Sequence, residues 1–146
     1  MYKAAVRWMI RRTVRDLSAG NPGPQIASYA DDAVLIFPGD NDWSGAYRGK
    51  EAVAGFLRRF AQLGLRGEAE DILVNGPPWR TRVAVIFPVQ ATDDSGAVVY
   101  DNRACLYAHA RWGKITFQED FEDTIKAGAF LRDLHSRGES AATRGQ

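Results

Sequence analysis

Apolar residues recur at helical spacing near the start of the chain. Between residues 3 and 18 they stand three or four positions apart, a period that predicts an amphipathic helix. Arg7, Arg11 and Arg15 follow one another every four residues on another side of this helix. Such a row is usually a solvated face, although it can also bind an anionic ligand. We expect this side of the helix to face solvent.

Two more helices are predicted in the first half of the chain. Pro22 and Pro24 suit the first turn of a short helix that carries Ile26 and Tyr29. A continuous apolar stripe then predicts a longer helix over residues 50–63. A strand with the sequence "AVLIFP" separates these two helices.

The second half of the chain alternates in the manner of β-strands. The predicted strands cover residues 66–75, 79–92, 97–112 and 114–123. Turn compositions such as "DDSG" and "WGK" separate them, and such short connections imply antiparallel neighbours. A terminal helix is predicted over residues 124–135, followed by a disordered tail over 136–146. Helices followed by long strands predict an α+β domain whose helices cover one face of a curved sheet.

Composition narrows the class of protein. A chain of 146 residues with 45% hydrophobic content fits one globular domain with a real core. A formal net charge of +1 gives no electrostatic reason to expect nucleic acid or an anionic membrane as a partner. The N-terminal segment carries too much charge for a signal peptide, and no apolar run approaches the ~20 residues of a membrane span. We therefore expect a cytoplasmic protein.

Cysteine and histidine content argues against metal and disulfide chemistry. Cys105 is the one cysteine of the sequence, so an internal disulfide is excluded. His109 and His135 have no carboxylate motif at ligand spacing, so no metal site is predicted.

The stretch "GKITFQEDFED", residues 113–123, combines a strand with four carboxylates, although acidic residues are poor strand formers. Period-two alternation separates Phe117 and Phe121 on one face from Asp120 and Glu122 on the other. Glu119 and Asp123 share the face of the two phenylalanines. Judged by alternation alone, this largely apolar face seeks the core, and Asp120 and Glu122 point away from it.

Two longer runs resemble a known family. The runs "YADDAVLIFPGDNDWSGAYRGKEAVAGFLRRF" and "VVYDNRACLYAHARWGKITFQEDFED" resemble the SnoaL-like branch of the superfamily of nuclear transport factor 2, ketosteroid isomerase and limonene epoxide hydrolase. The resemblance covers residues 3–131. It implies a cone-shaped, strongly curved antiparallel sheet with about three helices over its concave face, enclosing a pocket. Residues 1–135 would form this single domain, with residues 136–146 as the tail.

The resemblance reverses the expected orientation of the last strand. In these relatives the face that matches Gln118, Asp120 and Glu122 turns toward the cavity. The two interpretations agree if a second subunit covers the outer sheet face, where Phe117 and Phe121 would meet a symmetry mate. A homodimer through this face is therefore expected, and both orientations stay open from the sequence.

Departures from the family remove two of its activities. The proton-abstracting aspartate and the assisting tyrosine of ketosteroid isomerases correspond here to Phe37 and Thr13, which cannot play those roles. The Arg-x-Asp of limonene epoxide hydrolases corresponds to Arg82-Val83-Ala84, which keeps the arginine and lacks the carboxylate. Glu122 is the alternative second carboxylate beside Asp120, while Arg82 and Asp120 can equally form a simple buried ion pair.

The pattern of SnoaL-like polyketide cyclases asks for one pocket carboxylate. The resemblance implies Asp120 as the proton carrier and Arg82 as its charge partner, with hydrogen-bonding groups and apolar walls around a ligand and no cofactor. The implied ligand-binding residues are Tyr29, Phe37, Trp43, Phe56, Phe60, Tyr100, Asn102, Gln118 and Glu122. Aromatic residues at helical spacing, however, are more often core than ligand wall.

Three functions remain open from the sequence. The first is a pocket protein that acts as a cofactor-independent acid/base enzyme (an isomerase, cyclase or dehydratase) on a small apolar oxygenated molecule. The second is a non-catalytic ligand-binding or dimerisation module with the same fold. The third is a regulatory protein whose partner is another polypeptide.

Overall fold

The computed structural model describes the backbone of residues 1–144 and the side chains of residues 1–138. Across this part of the chain, four helices and seven strands form an α+β domain with a curved, unclosed sheet. The helices are α1 (Tyr2–Ser18), α2 (Gly23–Ala27), α3 (Lys50–Gln62) and α4 (Thr124–Arg144). The strands are β1 (Tyr29–Phe37), β2 (Gly45–Arg48), β3 (Arg66–Gly67), β4 (Asp71–Asn75), β5 (Thr81–Thr92), β6 (Val98–Arg111) and β7 (Lys114–Glu122).

The long strands β5, β6 and β7 form the centre of the sheet. Their order is β2-β1-β7-β6-β5-β3, and β4 also pairs with β5. The short hairpins make these neighbours antiparallel, as predicted, whereas β1 runs parallel to β7 because the chain crosses the domain between them. The predicted α+β class and curved sheet are confirmed.

Several boundaries differ from the prediction. Tyr29 belongs to β1 and not to the short helix, which ends at Ala27. The predicted strand over 66–75 is divided into β3 and β4, which pair with different parts of β5. Helix α4 continues beyond residue 135, where the disordered tail was expected to begin, and residues 145–146 of that tail lie outside the described residues.

The core lies between the concave face of the sheet and the helices. The alternate residues Val83, Val85 and Val89 of β5 are buried on this face. Helices α3 and α4 pack tightly on one end, where Phe56 and Phe130 are buried. Helix α1 covers the other end without burying any of its residues completely. No helix in the described part of the chain is long and apolar enough to cross a membrane.

The arginine row of α1 is not wholly solvated. Arg7 Nε donates a hydrogen bond to the carbonyl oxygen of Ile72 at 3.2 Å, and Arg11 Nη1 donates to that of Ala69 at 2.8 Å. These bonds attach one edge of α1 to the segment that carries β4, because carbonyl groups at the sheet edge lack strand partners.

Candidate functional site

A cavity of about 140 Å³ separates α1 from the concave face of the sheet. The inward side of α1 forms its roof, with residues such as Val6 and Ile10, and Val83 and Val85 of β5 form its floor. Phe60 of α3 adds to the wall. The lining is mostly apolar, so a carboxyl group on this wall has a poorly hydrated environment.

Asp120 is the titratable carboxyl group on this wall. It lies near the end of β7 opposite Leu106 of β6, and its side chain faces the cavity together with that of Gln118. Burial raises the pKa of Asp120 to about 7, while a hydrogen bond from Gln118 lowers it and the nearby charge of Glu119 raises it. Asp120 keeps part of its surface accessible because that surface adjoins the cavity.

A chain of hydrogen-bond donors ends at Asp120. The hydroxyl of Tyr29 donates to Oε1 of Gln118, and Gln118 Nε2 donates to Oδ1 of Asp120 at 2.9 Å. We call Tyr29, Gln118 and Asp120 the donor chain. Burial raises the pKa of the Tyr29 phenol, and the charge of Asp120 raises it further, so this hydroxyl stays protonated and can only donate along the chain.

Gln25 of α2 continues this arrangement on the far side of Tyr29. Its amide approaches the Tyr29 hydroxyl and partly offsets the rise in pKa of that phenol. The side chain is buried and lines the cavity, and its Oε1 has no hydrogen-bond partner within the described part of the protein.

A second polar cluster lies farther along the same sheet face, under α4. The Tyr100 hydroxyl donates to Oε1 of Glu122 at 3.1 Å and accepts from Nδ2 of Asn102 at 2.9 Å. The ring of Tyr100 packs on Phe130 of α4, with their centroids 4.7 Å apart. Burial raises the pKa of Glu122 to about 7. We call Tyr100, Asn102 and Glu122 the Tyr100 cluster, and none of the three lines the cavity.

The structure therefore divides the predicted site residues. Asp120, Gln118, Phe56 and Phe60 come together at the cavity. Tyr29 does not line the cavity, but its hydroxyl group donates a hydrogen bond to Gln118, which does.

Phe37 and Trp43 are core residues at the cavity's far side. Their rings pack edge to face with centroids 5.6 Å apart, and Phe37 also contacts the ring of Phe56. Both are nearly fully buried and neither lines the cavity beside Asp120. Trp43 instead borders a groove between α3 and α4.

Arg82 does not lie beside Asp120. It occupies the outer face of β5, where it pairs with His109 in register, because even-numbered residues of this strand point away from the cavity. Burial lowers the pKa of His109, and the charge of Arg82 adds to this effect. The predicted charge partner of Asp120 is thus on the opposite side of the sheet, and Asp120 obtains its hydrogen bond from Gln118.

Sequence reasoning did not identify Gln25, or the inward side of α1 as the cavity roof. A five-residue helix such as α2 is too short for periodicity to define its inward side. The apolar side of α1 was recognised, but an apolar stripe gives no sign of whether it meets a core or a cavity.

Comparisons with known proteins agree with this fold. The SnoaL-like domain family matches residues 10–118, and no curated protein matches the sequence. Bal32a, from a soil-derived mobile gene cassette, is 18% identical with a TM-score of 0.71, over 86% of this chain and 95% of that chain. TerC, co-crystallised with polyporic acid, is 19% identical with a TM-score of 0.69, over 85% and 95% of the two chains. An NTF2-like protein from Burkholderia pseudomallei K96243 is 16% identical with a TM-score of 0.68, over 86% and 95%.

At these identities the solved structures show the fold alone. The family match is independent of them and spans most of the domain, from the middle of α1 to Gln118 of β7. It includes the "GKI" segment and the loop into α3 that first indicated the resemblance. The chain belongs to the SnoaL-like domain family.

Proposed function

We propose that the protein is a general acid/base enzyme that moves a proton on a small, mostly apolar molecule, with Asp120 as the catalytic residue. One observation carries this proposal: a carboxyl group with a pKa of about 7 stands on the wall of an apolar cavity. A group with such a pKa is present in both protonation states near neutral pH, which is the condition that general acid/base catalysis needs.

The donor chain supports the basic form of Asp120. Gln118 donates to one carboxylate oxygen and leaves the other available for a substrate proton. Asp120 would accept a proton from a carbon or hydroxyl group of the substrate and return it at a different position. A single carboxyl group of this kind suits isomerisation, cyclisation or dehydration. It suits hydrolysis less well, because hydrolysis needs an activated water and a separate acid.

Glu122 does not supply that separate acid in this proposal. It lies in the Tyr100 cluster, outside the cavity lining, where the Tyr100 hydroxyl already donates to it. The presence of polyporic acid in crystals of TerC is consistent with a small-molecule ligand for this fold.

The proposal is tested with 5-nitrobenzisoxazole, a probe of bases in apolar sites. Removal of its ring C–H proton breaks the N–O bond and releases a coloured nitrophenolate, so the carboxylate accepts the proton and nothing else is consumed. We expect a rate that rises with pH through an apparent pKa of about 7. If Asp120 instead titrates like a solvated carboxyl group in carbon-detected NMR, the protein is a ligand-binding module and the enzymatic proposal fails.

We also propose that the outer sheet face pairs with a second copy of the chain. Phe121 is 46% exposed and Tyr107 is 37% exposed on this face. His109 lies between Tyr107 and Phe117, edge to face with the Tyr107 ring and tilted against that of Phe117, with ring centroids about 5 Å from each. An apolar, aromatic surface of this kind marks an interface more often than a solvated face.

Sedimentation velocity tests whether the protein forms this dimer. Phe121→Glu is expected to convert a dimer to a monomer at micromolar concentration, because it places a charge inside the interface. Ile125→Glu is the matched control, since Ile125 is equally apolar and 81% exposed but lies on α4. A wild-type protein that sediments as a monomer would contradict the proposal.

A further inference from the structure

We propose that one end of the domain, built around two exposed tryptophans, binds the surface of an anionic lipid bilayer. We call this surface the tryptophan tip; it consists of Trp79 and Trp112 together with the cations Lys3, Arg80 and Arg111. Binding of this kind needs no reaction in the cavity, so it is independent of the proposed function.

The two tryptophan rings lie against each other at one end of the sheet. Trp79 is in the turn between β4 and β5, and Trp112 is in the turn between β6 and β7. Their ring centroids are 5.9 Å apart, and the residues are 56% and 68% exposed. The backbone N–H of Trp112 donates to the carbonyl oxygen of Pro78 at 2.7 Å, which holds the two turns together. Two large apolar side chains that are adjacent and open to solvent indicate an interaction site.

The backbone of Trp112 supports a role for its side chain. Arg111 pairs with Lys114, so the turn consists of Trp112 and Gly113, with φ angles of 50° and 78°. A two-residue turn with both φ angles positive favours Asn-Gly, and a bulky residue at its first position is strained. Among the described residues, Trp112 is the one non-glycine residue with positive φ. Burial does not explain a tryptophan at this position, and backbone strain of this kind clusters at functional sites.

The start of α1 lies at the same end of the domain. The Tyr2 hydroxyl and Oγ1 of Thr81, two residues after Trp79, are hydrogen-bonded at 2.5 Å. Tyr2, Thr81 and Gly113 also line the cavity, which therefore reaches the tryptophan tip. A bilayer bound here would place one end of the cavity beside the lipid phase, where small apolar molecules dissolve.

The chain segments that form this end carry positive charge and no carboxylates. No aspartate or glutamate occurs in residues 1–15, 72–82 and 109–118. The side chains of Lys3, Arg80 and Arg111 are exposed. On β1, which runs parallel to β7, Asp31 and Asp32 lie farther from the two turns. The formal net charge of +1 is thus the sum of an uneven distribution, and this end of the domain attracts an anionic surface.

A bilayer fits the tryptophan tip better than nucleic acid or a second copy of the chain. Tryptophan is enriched at membrane–water interfaces, where nearby lysine and arginine attract anionic lipid headgroups. Single-stranded nucleic acid stacks its bases on rings along a groove, whereas these two rings stand on turns and lie against each other. A second copy bound through the same end would bring like charges together.

Co-sedimentation with vesicles tests the proposal. One set of vesicles contains about 30% phosphatidylserine in phosphatidylcholine, and the other contains phosphatidylcholine alone. The wild-type protein should bind the anionic vesicles, with an affinity that falls as added salt screens the headgroup charge. Its affinity for phosphatidylcholine alone should be at least about tenfold lower.

A substitution at Trp112 assigns the binding to the tryptophan tip. Trp112→Asn should weaken binding to the anionic vesicles at least about tenfold, because it removes a large apolar side chain. Asparagine accepts the positive φ at this turn position, so the thermal midpoint should stay the same or rise. Val98→Asn is the matched control: Val98 is 58% exposed at the opposite end of β6, and this variant should bind like the wild type.

Removal of charge gives a second measurement on the same surface. Arg80→Gln combined with Arg111→Gln should weaken binding to the anionic vesicles about fivefold for each charge removed. Arg58→Gln combined with Arg66→Gln removes the same charge from exposed positions on α3 and β3. This control should keep its affinity within about twofold of the wild type.

Three results would overturn the proposal directly: equal binding to both kinds of vesicle, no binding to either, and binding that Trp112→Asn leaves intact. A single-stranded oligonucleotide that blocks vesicle binding by the wild type and does not bind Trp112→Asn would assign the tryptophan tip to nucleic acid instead. A wild-type dimer that Trp112→Asn dissociates in sedimentation velocity would assign it to a second copy. None of these results changes the pKa of Asp120 or the rate of 5-nitrobenzisoxazole cleavage, which test the proposed enzyme.

Discussion

Asp120 and Glu122 stand two residues apart on one face of β7, and burial raises the pKa of each to about 7. Their surroundings nevertheless differ. Asp120 adjoins an apolar cavity and accepts a hydrogen bond on one oxygen, whereas Glu122 lies under α4 and is held by Tyr100. A raised pKa reports burial, and catalysis needs in addition a space beside the carboxyl group in which a ligand can stand.

The Tyr100 cluster has a structural role at the end of β7. Asn102 Nδ2 donates both to the Tyr100 hydroxyl and to the carbonyl oxygen of Asp123, the residue that precedes α4. Phe130 packs on the Tyr100 ring from within α4. The cluster therefore fixes the junction between β7 and α4, and Glu122 is one of its members.

Exchanging each carboxyl group for its amide gives the largest expected contrast. Asp120→Asn should lower the rate of 5-nitrobenzisoxazole cleavage at least ~100-fold, since general base catalysis typically contributes that much. Glu122→Gln should retain the rate within about threefold, because Glu122 has no access to the cavity. Circular dichroism serves to check that both variants are folded. An equal loss of cleavage rate in the two variants would contradict the different roles assigned to Asp120 and Glu122.

Titration of Asp120 and of Glu122 should both contribute to the pH dependence of the free energy of unfolding. Each pKa is higher in the folded state than in the unfolded chain, whose values are 3.8 for Asp120 and 4.5 for Glu122. The folded state then binds more protons, so the free energy of unfolding is highest below pH 4 and falls as the pH rises to about 7.

Denaturant unfolding at a series of pH values measures this slope. The free energy of unfolding falls between pH 4 and pH 7, and Asp120→Asn and Glu122→Gln should each remove on the order of 2 kcal/mol of this fall. The effect is smaller than the full pKa shifts imply, because the two groups are partly exposed and interact with each other. Asp101→Asn is the control, because Asp101 is exposed on β6. A wild-type stability that rises over this interval would contradict the raised pKa values.

The fold was predictable because its signals are local. Helix α1, helix α3 and the three long strands follow from periodicity and from turn residues between them. The start of β1 was missed because Tyr29 pairs with Ile115, a contact 86 residues away that no local pattern encodes.

The site was predictable only in part, for the same physical reason. Alternation placed Gln118, Asp120 and Glu122 on one face, and the structure keeps them there. Where that face meets a cavity and where it meets α4 depends on helix packing across the domain. Arg82 lies on the opposite side of the sheet because of the register of β5. A shift of one residue in that register would turn Arg82 to the cavity, and the sequence does not decide between the two registers.

The smallest expected effect compares the two tyrosines that donate toward the two carboxyl groups. Tyr29→Phe removes the donor to Gln118 and weakens the chain that favours ionised Asp120, so the pKa of Asp120 should rise while that of Glu122 stays constant. Tyr100→Phe removes the donor to Glu122, so the pKa of Glu122 should rise instead. It should also cost about 1 kcal/mol of stability, because Glu122 and Asn102 each lose a hydrogen-bond partner. Carbon-detected NMR titration measures the pKa values of Asp120 and Glu122 in both variants. If either variant shifts both pKa values equally, the two carboxyl groups titrate as one coupled pair. The distinction between Asp120 as a cavity residue and Glu122 as a structural residue would then be wrong.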